Sequence, residues 1–181
     1  MRALAAAALI ALAGCATLPP PQAPLAGDAF ELTGRFAARQ GAEGASGRIQ
    51  WRHTATDDDL VVSNPVGQGV ARITRRDGIY TLQTADDRRF VSSEADDLAA
   101  RALGWPLPVS GLSDWLRGRP APGQPGRVER GADGEPRILE QDGWRIEYLA
   151  FDTERSLPTR LRVSRGDLEI RLSIESWTTP R

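Results

Sequence analysis

Four features of this 181-residue sequence carry residue types capable of chemistry: a lone cysteine, a lone histidine, a run of three aspartates and two arginine pairs. A single cysteine excludes a disulfide framework and a Cys-rich zinc site. His53 shares strand parity with Ile49 and Trp51, which puts it on the inner face at a strand end. A catalytic triad would need a nucleophilic serine beside it, and no Gly-x-Ser-x-Gly elbow occurs. His53 therefore reads as a half-exposed strand-end histidine. Asp57, Asp58 and Asp59 are consecutive and lack the alternating ligand spacing and the glycine of a calcium loop, so they read as a solvated hairpin turn. Arg75-Arg76 and Arg88-Arg89 read as solvated hairpin ends, with acidic partners or lipid headgroups as the alternative. Gly67-Gln68-Gly69 lacks the third glycine and the strand–helix context of a nucleotide fingerprint.

Composition narrows the chemistry further. All 23 basic residues are arginine, so a Walker A loop and a lysine Schiff base are excluded. A net charge of −1 and a pI near 5.9 argue against a nucleic-acid partner. No catalytic residue, metal site or cofactor is expected.

The lone cysteine has a specific context. Arg2 and the apolar run Ala3 to Ala13 have the form of a secretory signal, too short to span a bilayer. The run ends Leu12-Ala13-Gly14-Cys15, which resembles the bacterial lipobox: an aliphatic residue, two small residues that fit the signal peptidase, and the thiol that carries a diacylglyceryl group. Residues 1–14 are thus expected to be a lipoprotein signal peptide, with Cys15 the lipid attachment point. Residues 15–27 contain Pro19, Pro20, Pro21 and Pro24 and no apolar period. They read as a tether that extends to about 35–40 Å, or as a spacer without a mechanical role.

From Phe30 onward, positions of alternating polarity recur. Phe30, Leu32, Gly34, Phe36 and Ala38 oppose Glu31, Thr33, Arg35 and Arg39; Trp144, Ile146 and Tyr148 oppose Arg145 and Glu147; Leu168, Ile170, Leu172 and Ile174 oppose Glu169, Arg171 and Glu175. One wet and one dry face mark antiparallel strands, and Asp77-Gly78, Asp142-Gly143 and Arg165-Gly166 mark turns between them. The pattern predicts one mainly β domain over residues 28–181, with about ten or eleven strands. Two short helices interrupt it, one after a capping box at Ser93-Glu94-Ala95-Asp96 and one capped by Ser110 and ending at Gly118. A curved antiparallel sheet lidded by helices can enclose a cavity.

Several stretches together resemble the LolB family of outer-membrane lipoprotein receptors. They are Phe30-Glu31-Leu32-Thr33-Gly34-Arg35-Phe36, Ile49-Gln50-Trp51, Ser63-Asn64-Pro65-Val66-Gly67, Leu103-Gly104-Trp105-Pro106-Leu107-Pro108, Leu112 with Trp115 and Gly118, Asp142-Gly143-Trp144, and Ile170 to Trp177. The resemblance implies a half-open barrel of about 11 antiparallel strands closed by helices around a hydrophobic cavity. It implies a receptor, lipid-anchored in the periplasmic leaflet of the outer membrane. The receptor takes lipoproteins from the carrier LolA by binding their acyl chains, and inserts them among outer-membrane lipids. It also implies a monomer. The family carries a solvent-projecting leucine in an Asn-Pro-Leu-Gly turn that is needed for cargo insertion; here that position is Val66, between Pro65 and Gly67.

From the residues alone, Val66 is either an apolar finger or an ordinary exposed valine. Trp51, Trp115 and Trp144, with Ile146 and Leu161, are candidates for the acyl-cavity wall, but a filled core gives the same alternation. Two other functions stay open: an envelope-assembly lipoprotein with a filled β core that docks another envelope protein, and a lipid-processing enzyme.

Overall fold

The computed structural model describes residues 24–96, 98, 108–154 and 156–180. Eleven strands form one antiparallel sheet: β1 (Phe30–Gln40), β2 (Glu43–His53), β3 (Asp58–Ser63), β4 (Gly69–Arg76), β5 (Ile79–Thr84), β6 (Arg89–Ser92), β7 (Gly126–Arg130), β8 (Pro136–Gln141), β9 (Trp144–Phe151), β10 (Pro158–Arg165) and β11 (Leu168–Thr178). Their spatial order is β6-β5-β4-β3-β2-β1-β11-β10-β9-β8-β7. The first and last strands therefore pair at the centre, and β6 and β7 are the two edges of an unclosed sheet. Helix α1 (Val109–Trp115) lies in the connection between those edges.

Hairpin chemistry sets the register. Asp77-Gly78 and Asp142-Gly143 occupy two-residue loops in which both residues have positive φ, at 49° and 77°, and at 49° and 73°. These turns match the right-handed strand twist, and aspartate followed by glycine tolerates them best. Near the middle of the sheet, β1 and β2 approach their neighbours unusually closely. A Cβ at Gly34 would lie 2.6 Å from the Ser173 carbonyl oxygen, and one at Gly47 would lie 2.1 Å from that of Ser63. Glycine is the residue that permits such backbone contact, and the β1–β11 register shifts at Thr33/Gly34.

The alternation in the sequence becomes an inner face on which Phe30, Leu32, Trp51, Leu82, Leu139, Ile146, Leu161, Val163 and Leu172 are buried. Arg145, Arg162, Glu147 and Glu169 form an ion-paired lattice among outward positions.

Helix α1 starts differently from expectation. Ser110 lies inside it, and Pro108 at the N-cap makes no side-chain cap. The cap is remote: the Asp96 carboxylate accepts from the Ser110 N–H and hydroxyl, both at 2.9 Å. At the other end Gly118 (φ 75°) donates to the Trp115 carbonyl, the expected stop. Of the other expected helix, Ala95, Asp96 and Leu98 are helical and the remainder lies outside the described residues.

Candidate functional site: an apolar trough with an exposed rim

The inner face is not filled evenly. On the β7–β9 side it carries large buried side chains, among them Leu139, Trp144, Ile146 and Tyr148. The Trp115 ring sits 6.1 Å from that of Trp144 and donates its N–H to Gln141 Oε1 at 2.7 Å. The Tyr148 hydroxyl donates to the Trp115 carbonyl at 2.7 Å, and burial pushes that phenol's pKa well above its usual value. Within α1, a Cβ at Gly111 would meet the Trp115 ring at 2.6 Å, so glycine makes room for the indole.

On the β1–β4 side a cavity of about 300 Å³ remains. Its floor comes from Trp51, Leu60, Ile73 and Leu82; Val163, Ile170 and Leu172 close one flank, and Pro108 and Leu112 of the helix segment cover it. Phe36, Ala38, Ala45 and Ala71 complete the wall around small side chains. The short side chains of these three alanines leave volume open at the wall. Among the described residues, the cavity's polar lining comes from Ser46, Ser63 and Asn64. This is the size and character of a small-molecule or single-chain apolar site.

Of the candidates named from sequence, Trp51 lines this cavity. Trp115, Trp144, Ile146 and Leu161 are not among its described lining residues. All four are buried in the core cluster, at 0–3% exposure. The periodicity that places a residue on the inner face does not distinguish the packed end of a trough from its empty end. Cys15 and Trp105 lie outside the described residues.

The Asn64–Gln68 turn stands at the cavity rim, since Ser63, Asn64 and Val70 on its two sides all contribute to the lining. Asn64 organises it. Its side-chain oxygen accepts from the Val66 and Gln68 N–H groups at 3.1 and 3.0 Å, and its carbonyl accepts from Gly67 N–H at 2.9 Å. Gly67 has φ 91°. A turn tied this tightly holds Val66 outward, 80% exposed, the highest value among the exposed large apolar residues. Pro65, with its fixed φ, precedes it at the position turns prefer.

Under the opposite end of the trough lies a polar cluster that the sequence did not reveal. Asp58 is buried, contrary to the expected solvated turn. It accepts from Trp51 Nε1 (2.9 Å), is hydrogen-bonded to His53 Nδ1 (2.6 Å), and is ion-paired to Arg75 Nε (2.5 Å). Arg75 also reaches the Thr54 carbonyl, so it is not a solvated hairpin end. His53 is stacked 4.9 Å from Phe30, with its side chain 12% exposed rather than half-exposed. Burial pushes the Asp58 carboxyl up, but the His53 and Arg75 hydrogen bonds outweigh it, and its pKa lies below the ordinary value. The three aspartates hide this because β3 begins at Asp58: Asp58 faces in, while Asp57 and Asp59 pair outward with Arg76 and Arg72.

A second clamp joins α1 to the start of β1. Arg119 bridges Asp28 (2.5 Å) and Asp114 (2.7 Å), and Arg117 donates to the Asp28 carbonyl at 2.7 Å while lying over the Phe30 ring.

An open antiparallel sheet with an apolar trough, lidded by a mid-chain helix, is the geometry against which known proteins can be compared. The sequence pattern of the family described as outer membrane lipoprotein LolB matches residues 28–177. The chain belongs to the LolB family. It is 43% identical to the outer-membrane lipoprotein LolB of Thiobacillus denitrificans, over 98% of each chain. It is 41% identical to that of an Azoarcus species, over 98% of this chain and 94% of the relative. Among solved structures, a LolA superfamily protein from Nitrosomonas europaea superposes with a TM-score of 0.53 over 85% of this chain and 87% of that one. At 10% identity it shows a shared fold and nothing finer. The LolB family match spans the Val66 turn, α1 and every strand of the sheet, ending one residue before β11 does. The unclosed antiparallel sheet of 11 strands expected from the resemblance is present in this chain.

Proposed function

We propose that this protein is an outer-membrane receptor that accepts lipoproteins from a LolA-type periplasmic carrier, holds their acyl chains in the apolar trough, and inserts them into the outer membrane. The observation that carries this reading is the adjacency of the empty apolar cavity and the rigid, exposed Val66 turn at its rim. A core that merely stabilised the sheet would fill the β1–β4 side as it fills the β7–β9 side.

No covalent step is needed for such transfer. Cargo moves downhill through differential affinity for acyl chains: tighter in this trough than in the carrier, tighter still in the bilayer. Each buried methylene contributes about 0.8 kcal/mol, so a difference of one or two methylenes between hosts sets the direction. Cys15 supplies the anchor, and residues 15–27 the tether that lets the folded body turn between carrier and membrane. Val66 is the apolar finger that first meets lipid. It lacks one methylene relative to the family's leucine, a difference of up to about fourfold in lipid contact.

A fluorescent fatty acid tests the trough. Saturable binding, displaced by unlabelled fatty acid, is expected; an absence of saturable binding would favour an assembly lipoprotein with a filled core. Val66→Glu is expected to leave fatty-acid binding intact and to stop cargo entry into liposomes. Entry at the wild-type rate would remove the finger from the mechanism.

A further inference from the structure

Arg35 and Arg48 stand directly opposite each other on the outward positions of β1 and β2. Like charges in that arrangement are destabilising. Arg35 is relieved by Glu175, its Nε 2.5 Å from the carboxylate. Arg48 is exposed and has no hydrogen bond or ion pair among the described residues. The same two arginines share a surface groove with Pro65 of the rim turn. That neighbourhood follows from the backbone: Arg48 pairs with Ser63 in the β2–β3 register, and Gly47 lets β3 pack closely enough to bring the turn down beside it. An unneutralised guanidinium thus borders Pro65, next to Val66, the most exposed large apolar side chain among the described residues.

We propose that Arg48, assisted by Arg35, binds the phosphate of an anionic phospholipid headgroup when the Val66 turn meets the membrane. An apolar wedge flanked by a cation is the physical requirement for seating a protein at a bilayer surface, because the wedge enters the acyl boundary while the cation stays at the level of the phosphates. A guanidinium presents parallel N–H donors to two phosphate oxygens, and its charge-assisted bonds are strong ones. The ligand is a lipid headgroup and not a free anion, because the groove is shallow and exposed: one arginine in water holds phosphate weakly, and the neighbouring wedge supplies the local concentration. The proposal rests on the assignment of Val66 as the lipid-touching finger.

The test uses the mature chain from residue 15 with Cys15→Ala, so that no acyl anchor holds it, floated with phosphatidylcholine vesicles with and without phosphatidylglycerol. Phosphatidylglycerol is expected to strengthen wild-type binding, and added salt to weaken that gain. Arg48→Ala is expected to lose about fivefold on anionic vesicles, the effect of one cation near the surface. It should keep its binding to neutral vesicles, and Arg48→Lys should recover most of the loss. Equal binding of Arg48→Ala and wild type to anionic vesicles would overturn the proposal. So would displacement of the protein by inorganic phosphate beyond the effect of equal ionic strength, which would assign the site to a free anion. Val66→Glu separates the two claims: it should abolish binding to both vesicle types, and its failure to do so would remove the finger itself.

Discussion

Asp58 shows how much one side chain decides in this fold. Its carboxylate gathers the indole N–H of Trp51, the imidazole of His53 and the guanidinium of Arg75 at the end of the trough away from Val66. Removing one partner of a buried ionic cluster typically costs about 3–5 kcal/mol, because the others are left buried and unpaired. Asp58→Ala is expected to lower stability by that order in urea unfolding. The pH dependence has a definite sign. The folded carboxyl titrates below its ordinary 3.8, so its contribution is complete above that value and is lost as the pH falls through the folded pKa. Wild type should lose stability steeply below about pH 4, and Asp58→Asn should show a flatter acid limb. An identical acid limb in the two proteins would contradict this role. The cluster was invisible in the sequence because three consecutive aspartates look like a turn, and only the position at which β3 begins sends the middle one inward. Val66 was more legible, since Asn-Pro-x-Gly specifies a turn by its own local chemistry.

At the scale of elements, the strands were readable because a half-buried sheet writes its two faces into alternate residues, and the Asp-Gly turns fix their registers. What alternation could not give is which inner positions enclose space. Trp144, Ile146 and Leu161 have the right parity and Trp115 faces them from α1, yet all four belong to the buried core cluster and none is among the described lining residues of the cavity. The alanines of β1, β2 and β4 make the room. The cap of α1 was equally non-local: Asp96 lies 14 residues before Ser110 in the chain, beyond the reach of any capping pattern in sequence. The division into a packed side and an empty side has a direct consequence. Ala71→Trp should fill the cavity and reduce fatty-acid affinity at least tenfold while the protein stays folded. Trp115→Ala should instead cost about 3–5 kcal/mol of stability, the usual effect of truncating a buried tryptophan. Calorimetry and a displacement titration on both variants check the contrast; equal loss of fatty-acid binding in the two folded variants would return Trp115 to the cavity wall.

For the whole molecule, the sheet's openness and its polarity from end to end matter most. The chain enters β1 at Asp28, clamped to Arg117 and Arg119, beside the His53–Asp58 end of the trough. The Val66 turn caps the opposite end of β3, about 20 Å away for a strand of this length. The tether proposed for residues 15–27, extending to about 35–40 Å, would let a body held by Cys15 present that far end to the same membrane. Carrier, trough, rim and bilayer then form one downhill path that needs no nucleotide. The most direct measurement of that path follows a labelled lipoprotein from a LolA-type carrier to this protein and on to liposomes, with no added nucleotide. Receptor function predicts transfer to the wild type, retention on the Val66→Glu variant, and release into liposomes from the wild type alone. Cargo that stays on the carrier when the folded wild-type protein is present would contradict it.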